Sequence, residues 1–217
     1  MEIIWHGHSF FEIKSKENKN QVEIAIDPFS DEIGLKVPKV EADILLISHD
    51  HYDHNNKSAI SGNYFLIDQP GEYEVKGVFV KAIKSFHDKV EGKERGENLI
   101  FTIETEDLKV CHMGDFGQKE LEEKQIEEIG EVDVLMIPVG GIYTISAKEA
   151  VKILEQLEPK ITIPMHYSLP KLKIKLDSVD KFLKSLGIKS LEPIKKLSIK
   201  KEDLSPEEAK VVLLEPR

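Results

Sequence analysis

The segment Ser48-His49-Asp50-His51-Tyr52-Asp53-His54 places three imidazoles and two carboxylates in six consecutive positions after a serine. Neutral imidazole nitrogen and carboxylate oxygen together suit zinc, manganese or iron. The segment follows Ala42–Ser48, a nearly continuous apolar run that reads as a strand buried on both faces. In extended backbone His49 and His51 point the same way, roughly 6–7 Å apart, close enough to share one cation. Asp53 and His54 lie in the turn beyond, within reach of a second cation. The alternative is a polar loop that holds histidines by chance, and so many ligand types at a strand end weigh against it. Two such cations would do hydrolysis. A metal-bound hydroxide, formed near neutral pH, would attack a carbonyl or phosphoryl centre, and the second cation would stabilise the developing oxyanion. Asp53 would then be catalytic as well as a ligand.

Four residues cannot hold two cations, so other segments must contribute. The remaining histidines are His6, His8, His87, His112 and His166, each at or near the end of an apolar strand. Asp115 follows His112 in His-Met-Gly-Asp-Phe-Gly, where Gly114 and Gly117 allow a tight turn. The residues alone leave His87 and His112 as rivals for the third ligand of the first cation. If His112 is not the ligand, it is a buried histidine hydrogen-bonded behind the site. Asp27 closes a strand before Pro28, and His8 sits in a glycine-flanked turn; both are candidates to brace metal ligands, or else ordinary turn residues. Gly140 to Thr144 precede a helix whose free N–H groups would attract an anion, which makes Tyr143 and Thr144 substrate-contact candidates. Pro70–Tyr73 reads as a turn and Cys111 as a small buried hydrophobe.

These residues need a frame. Glu2–Trp5, Phe10–Lys14, Val22–Ile26, Tyr64–Asp68, Val75–Lys84, Leu99–Glu104 and Leu108–His112 read as further strands, with a hairpin turn at Glu106–Asp107. Beyond them strands and helices alternate. Lys119–Ile129 is a helix ended by Gly130, Val132–Pro138 a buried strand, and Ser146–Leu157 a helix with Ser146 and Glu149 as a capping box. Ile161–Pro164 is a short strand, Ser178–Leu186 a helix and Lys210–Leu214 a last strand. Many strands with later helices imply an α/β (α+β) sheet sandwich covered by helices. Residues 1–217 show no linker or repeat, so a single domain is expected.

Composition narrows the partners. The 217 residues carry a net charge of −10, which argues against a binder dominated by nucleic-acid phosphates. Residues 171–217 are locally basic, and arginine occurs only at Arg95 and Arg217. Cys111, the one cysteine, excludes an internal disulfide and fits a reducing cytosol. The first residues have no basic segment leading an apolar one, so no signal peptide is expected, and no apolar run is long enough to span a membrane. The expected protein is cytoplasmic with a small-molecule substrate, and homo-oligomerisation is left open.

The sequence resembles the metallo-β-lactamase-fold hydrolases. The resemblance rests on His-x-His-x-Asp-His after a strand, a later isolated histidine, a Gly-Asp turn after a hairpin, and a last histidine after a strand. Gly7–Phe11, Ile26-Asp27-Pro28, Pro70–Glu74, Cys111–Gly117, Pro138–Ser146 and Ile163–Tyr167 are similar to the branch that contains ascorbate-6-phosphate lactonase. The resemblance implies a four-layer αββα sandwich with its site at one edge. It implies one metal on His49, His51 and His87, another on Asp53, His54 and His166, and Asp115 bridging them. It thus favours His87 over His112, and it makes Asp27 the brace of the His-rich loop. It implies a dinuclear hydrolase, with zinc foremost and manganese or iron as alternatives, acting on a lactone, ester or phosphorylated small molecule. A phosphodiesterase or nuclease on the same fold, or a non-catalytic metal-binding protein, is the competing expectation.

Overall fold

The computed structural model describes residues 1–17, 20–205 and 209–217. The strands are β1 (Glu2–Gly7), β2 (Phe10–Glu17), β3 (Asn20–Ile26), β4 (Val40–Glu41), β5 (Ile44–Leu46), β6 (Ile60–Ser61), β7 (Phe65–Ile67) and β8 (Gly71–Val75). They continue with β9 (Val78–Phe86), β10 (Glu97–Thr105), β11 (Leu108–His112), β12 (Val134–Pro138), β13 (Ile161–Met165), β14 (Leu197–Ser198) and β15 (Lys210–Val211). The helices are α1 (Glu123–Ile129), α2 (Ala147–Leu157) and α3 (Val179–Ser185). One sheet has the order β14-β1-β2-β3-β5-β7 and the other β15-β13-β12-β11-β10-β9-β8, with β4 and β6 forming a separate two-stranded ladder.

Side-chain alternation explains the layering. Along β3 and β5, Val22, Ile24, Ile26, Ile44 and Leu46 face the core between the sheets. Ala25, Leu45 and Ile47 face a second core beneath Phe29, Ile33, Val40 and Ala59. Strand β5 is therefore buried on both faces, as its continuous apolar run requires. The parallel crossovers β11–α1–β12–α2–β13 put helices on the outer face of the second sheet, and the main core continues beneath Ile129, Ile153 and Phe182. The fold is the αββα sandwich, with the layer over the first sheet reduced to short 3-10 turns and the β4–β6 ladder.

Helix α2 begins at Ser146 with the expected capping box, and α1 ends at Gly130. Glu106 and Asp107 both take positive φ in the expected hairpin turn. Pro70–Tyr73 differs from its reading as a turn, because Gly71–Val75 forms edge strand β8, paired to β9 through a turn at Lys76-Gly77. Glu72 and Glu74 are exposed along it, and that charge suits an edge while hiding the strand pattern. Helix α1 starts at Glu123, four residues later than expected. Among the described residues no helix is long and apolar enough to cross a membrane.

Candidate metal centre

The histidine-rich segment leaves the carboxyl end of β5, and the other candidates leave neighbouring strand ends. Asp27 follows β3, His87 follows β9, Asp115 lies just past β11, and His166 follows β13. His8 stands in the β1–β2 turn. Parallel pairing of β3 with β5 and of β12 with β13 sets these ends at one edge of the sandwich, where ligands of α/β sheets collect. His8, Asp27 and His166 have left-handed backbone, with φ of 53°, 51° and 51°. Such residues cost about 1–3 kcal/mol each and cluster at functional sites. Two of these corners brace one another, since the His166 N–H donates to the His8 carbonyl at 3.0 Å.

Two groups of side chains form. His49, His51 and His87 are within ligand reach of one another, with ring centroids 4.5–5.1 Å apart. His8, Asp53, His54 and His166 form a second group. Asp115 stands between them, its Oδ2 at 3.1 Å from His87 Nε2 and 3.2 Å from both His54 Nε2 and His166 Nε2. The same oxygen lies 4.0 Å from His49 Nε2.

Hydrogen bonds around the edge orient the rings. Asp27 is fully buried; its Oδ1 accepts from the Ser48 N–H at 2.7 Å and its Oδ2 from the Ser48 hydroxyl at 2.6 Å and His54 Nδ1 at 3.1 Å. Because Ser48 gives its one hydroxyl proton to Asp27, its oxygen accepts from His49 Nδ1, 2.9 Å away. His49 and His54 therefore carry Nδ1 protons, and their buried Nε2 atoms have no hydrogen-bond partner among the described residues. His8 Nε2 donates to Asp53 Oδ2 at 3.1 Å. His112 differs: Nε2 donates to the Ser9 carbonyl and Nδ1 accepts from the Gly114 N–H, both at 3.1 Å, so neither nitrogen is spare. His6 is apart from the cluster, paired with Glu12 at 3.1 Å.

Two supports were not expected from the sequence. Asn98 donates to Ser85 Oγ and the Met113 carbonyl and accepts from the Asp115 N–H at 2.8 Å, so it holds the turn that presents Asp115. Asp88 accepts the N–H groups of Val90, Gly92, Glu94 and Arg95, which shapes the loop after His87. Burial opposes ionisation of Asp88, but these donors hold its carboxyl down at about 2. Two glycines permit close approach. Gly114 has φ +55°, and a Cβ on it would meet Asn98 Oδ1 at 2.3 Å. A Cβ on Gly117 would lie 2.3 Å from the His87 carbonyl carbon.

The electrostatics favour cation binding. Burial, then neighbouring imidazoles, hold His49 well below the usual histidine range, lower His51, and bring His8 to about 4. Burial would raise Asp53 and Asp115, but the surrounding imidazoles outweigh it and keep both carboxyls below their ordinary range. Burial also opposes protonation of His54, yet Asp115, Asp27 and Asp53 hold its pKa well above the ordinary value. His49 and His51 held neutral, ionised carboxylates and inward-facing buried Nε2 atoms are the donor set divalent cations take, and His54 yields its proton when a cation binds. His49, His51, His87, Asp53, His54, His166 and Asp115 are thus placed where they can ligate metal.

Above the centre is a pocket of about 490 Å³ lined by Tyr52, Arg95, Tyr143, Lys173, Ile174 and Lys175, with Asp53, His87, Asp115 and His166 also on its wall. Tyr143 lines it; Thr144 is buried, closes a turn through its N–H to the Gly141 carbonyl, and is not on the pocket wall. The start of α2 is not open to an anion either, because the Glu149 carboxylate already accepts from the Ser146 N–H and hydroxyl.

The family model described as a β-lactamase superfamily domain matches residues 2–166. A UPF0173 metal-dependent hydrolase of Thermoplasma volcanium is 33% identical over 199 residues, covering 77% of this chain and 84% of the relative. A UPF0173 protein of Pyrococcus abyssi is 34% identical over 190 residues, covering 77% and 83%. The crystal structure of a protein from Thermotoga maritima, described as a Zn-dependent hydrolase of the metallo-β-lactamase superfamily, is similar with TM-score 0.79 and 40% identity, covering 98% of this chain and 97% of that one. A histidine-rich edge on an αββα sandwich and these likenesses lead to one conclusion: the chain belongs to the UPF0173 metal-dependent hydrolases of the β-lactamase superfamily.

Proposed function

We propose that the protein is a dinuclear hydrolase of small lactones, esters or phosphorylated molecules, with zinc as its metal. The observation that carries this reading is the place of Asp115 Oδ2, within 3.2 Å of imidazoles from both groups. His49, His51 and His87 would hold one ion and Asp53, His54 and His166 the other, with Asp115 placed to serve both. When bound, the ions lower the pKa of a coordinated water towards ~7 and polarise the carbonyl or phosphoryl oxygen.

The chain's residues do the rest. Asp27 and Ser48 fix the tautomers that aim His49 Nε2 and His54 Nε2 inward. His8 Nε2 pins one Asp53 oxygen, which leaves Asp53 Oδ1 to take a proton from the attacking water. The water oxygen bonds to the acyl carbon, the bond to the leaving oxygen breaks, and Asp53 Oδ1 returns the proton to that oxygen. A pocket of about 490 Å³ suits a small molecule better than a nucleic-acid strand, as does the net charge of −10. The Cys111 thiol, which burial pushes up to about 12, is unreactive and suits a reducing cytoplasm.

Elemental analysis of protein purified without contact with a nickel resin, then saturated with zinc, should approach two equivalents per chain. A firm stoichiometry of one refutes the dinuclear site. A parallel screen of lactones and phosphodiesters should show turnover of the lactones; turnover of phosphodiesters alone refutes the substrate class.

A further inference from the structure

We propose that the pocket reads its substrate through an anionic group, a carboxylate or a phosphate monoester remote from the scissile bond, held by Arg95, Lys173 and Lys175. The inference rests on the hydrolase reading above for the position of the reacting bond.

The chain has ten more acidic than basic residues, yet three cationic residues line this pocket. Among the described residues none of the three makes an ion pair, and Lys89, on the same loop as Arg95, is paired with Glu149. The carboxylates on the pocket wall, Asp53 and Asp115, face imidazoles instead. Like charges gathered in one cavity repel, and an anion relieves that repulsion.

Both segments that bring these cations are anchored. The Arg95 N–H is bound by Asp88, and its guanidinium lies over the Tyr143 ring, 5.4 Å from the centroid. Stacking preorganises the planar fork for a carboxylate or phosphate. Lys173 and Lys175 alternate with Leu172, Ile174 and Leu176; Leu172 and Ile174 pack on the second core, and the Lys173 N–H donates to the Ile33 carbonyl. That alternation leaves both lysines exposed beside the pocket. Tyr52 and Tyr143 add apolar surface suited to a carbon skeleton.

Two measurements on zinc-loaded protein test this. The first compares kcat/KM for 4-nitrophenyl butyrate with that for the 4-nitrophenyl monoester of glutaric acid, in the wild type and in the Arg95→Gln/Lys173→Gln/Lys175→Gln variant. The wild type should prefer the anionic ester by ~10-fold or more, and the preference should collapse in the variant, which lacks the charges that attract the carboxylate. Equal preference in the two proteins, or a wild-type preference for the neutral ester, overturns the proposal. The second titrates inorganic phosphate and glutarate calorimetrically into both proteins. At least one should bind the wild type ~10-fold more tightly, and which one identifies the anion; equal affinities overturn the proposal. If neither ester is hydrolysed, the calorimetric difference alone decides the anion site, so failure of the hydrolase reading and of this one are separable.

Discussion

Replacing Asp27 with asparagine exchanges one buried oxygen for an amide nitrogen, and the hydrogen bonds carry that exchange to both metal groups. Asn keeps the left-handed backbone tolerable. Its oxygen can retain the Ser48 N–H, now held by Asp27 Oδ1 at 2.7 Å. Its NH2 group then replaces Oδ2, which at present accepts from both the Ser48 hydroxyl and His54 Nδ1. Facing a donor, Ser48 turns its proton toward His49 Nδ1, and His49 and His54 move their protons to Nε2. The opposite amide orientation sets NH2 against the Ser48 N–H and leaves a buried donor unmet, a cost of about 1–3 kcal/mol. A change of imidazole tautomer is the smaller cost, since the proton follows whatever bond the other nitrogen makes. Both inward-facing Nε2 atoms thereby lose the lone pair that a metal needs. Disrupting such outer partners typically weakens metal binding ~10–100-fold, or ~1.4–2.7 kcal/mol, and here the loss is expected at both ions. Competition against a chromophoric zinc chelator measures it, and two-bond proton–nitrogen correlation of the metal-free protein reads the tautomer of His49. Wild-type zinc affinity at both sites, with His49 still protonated on Nδ1, would refute the relay.

His87→Ala should weaken zinc binding beyond that range, whereas His112→Ala should leave zinc binding close to wild type and destabilise the fold by about 2–4 kcal/mol through its lost bonds and packing on Phe11; chelator competition and urea unfolding together check the order. Gly117→Ala should cost about 1–3 kcal/mol and lower zinc affinity, because the new methyl meets the His87 backbone at 2.3 Å; a wild-type Tm and affinity would contradict that packing. The metal-free protein should gain stability from pH 5 to 7. Burial first, then the neighbouring histidines, lowers His8, His49 and His51, so the unfolded chain takes up protons near ~6.5 that the folded chain refuses. His8, at about 4, alone contributes about 2 kcal/mol over that interval. His54 has the opposite sign, since its raised pKa gives stability below ~6.5 that fades as pH rises, but it acts only in the upper part of the interval. A urea midpoint that falls from pH 5 to 7 would show that His54 dominates.

Local patterns carried much of this molecule in the sequence. The run at Ala42–Ser48, the capping box at Ser146 and Glu149, and the turn at Glu106-Asp107 are each decided within a dozen residues, because hydrophobic periodicity, caps and positive-φ turns are local properties. The density of ligand types between His49 and His54 was legible for the same reason. Strand β8 was not, since an edge strand marked by exposed glutamates lacks an apolar signal. Signals for the pocket cations existed, in the rarity of arginine and the alternation of Lys171–Leu176, but neither says which cavity a side chain joins.

Legible along the chain, then, were most of the elements, an α/β sheet sandwich that the family resemblance refines to αββα, and the donor types a metal centre needs. Which donors converge is set by the folding of distant segments onto one another. His87 and His112 are similar in type and context along the chain. The pairing of β9, β10 and β11 sets His87 Nε2 at 3.1 Å from Asp115 and commits both nitrogens of His112 to backbone partners. Likewise, Thr144 beside Tyr143 looks equally suited to a substrate, and packing buries one while the other lines the pocket. A hydrogen bond or a ligand contact acts over about 3 Å in space, and pairs such as Asp27 with His54, Asn98 with Asp115 and Asp115 with His166 meet at that distance only after strand register and sheet stacking have closed the loops between them.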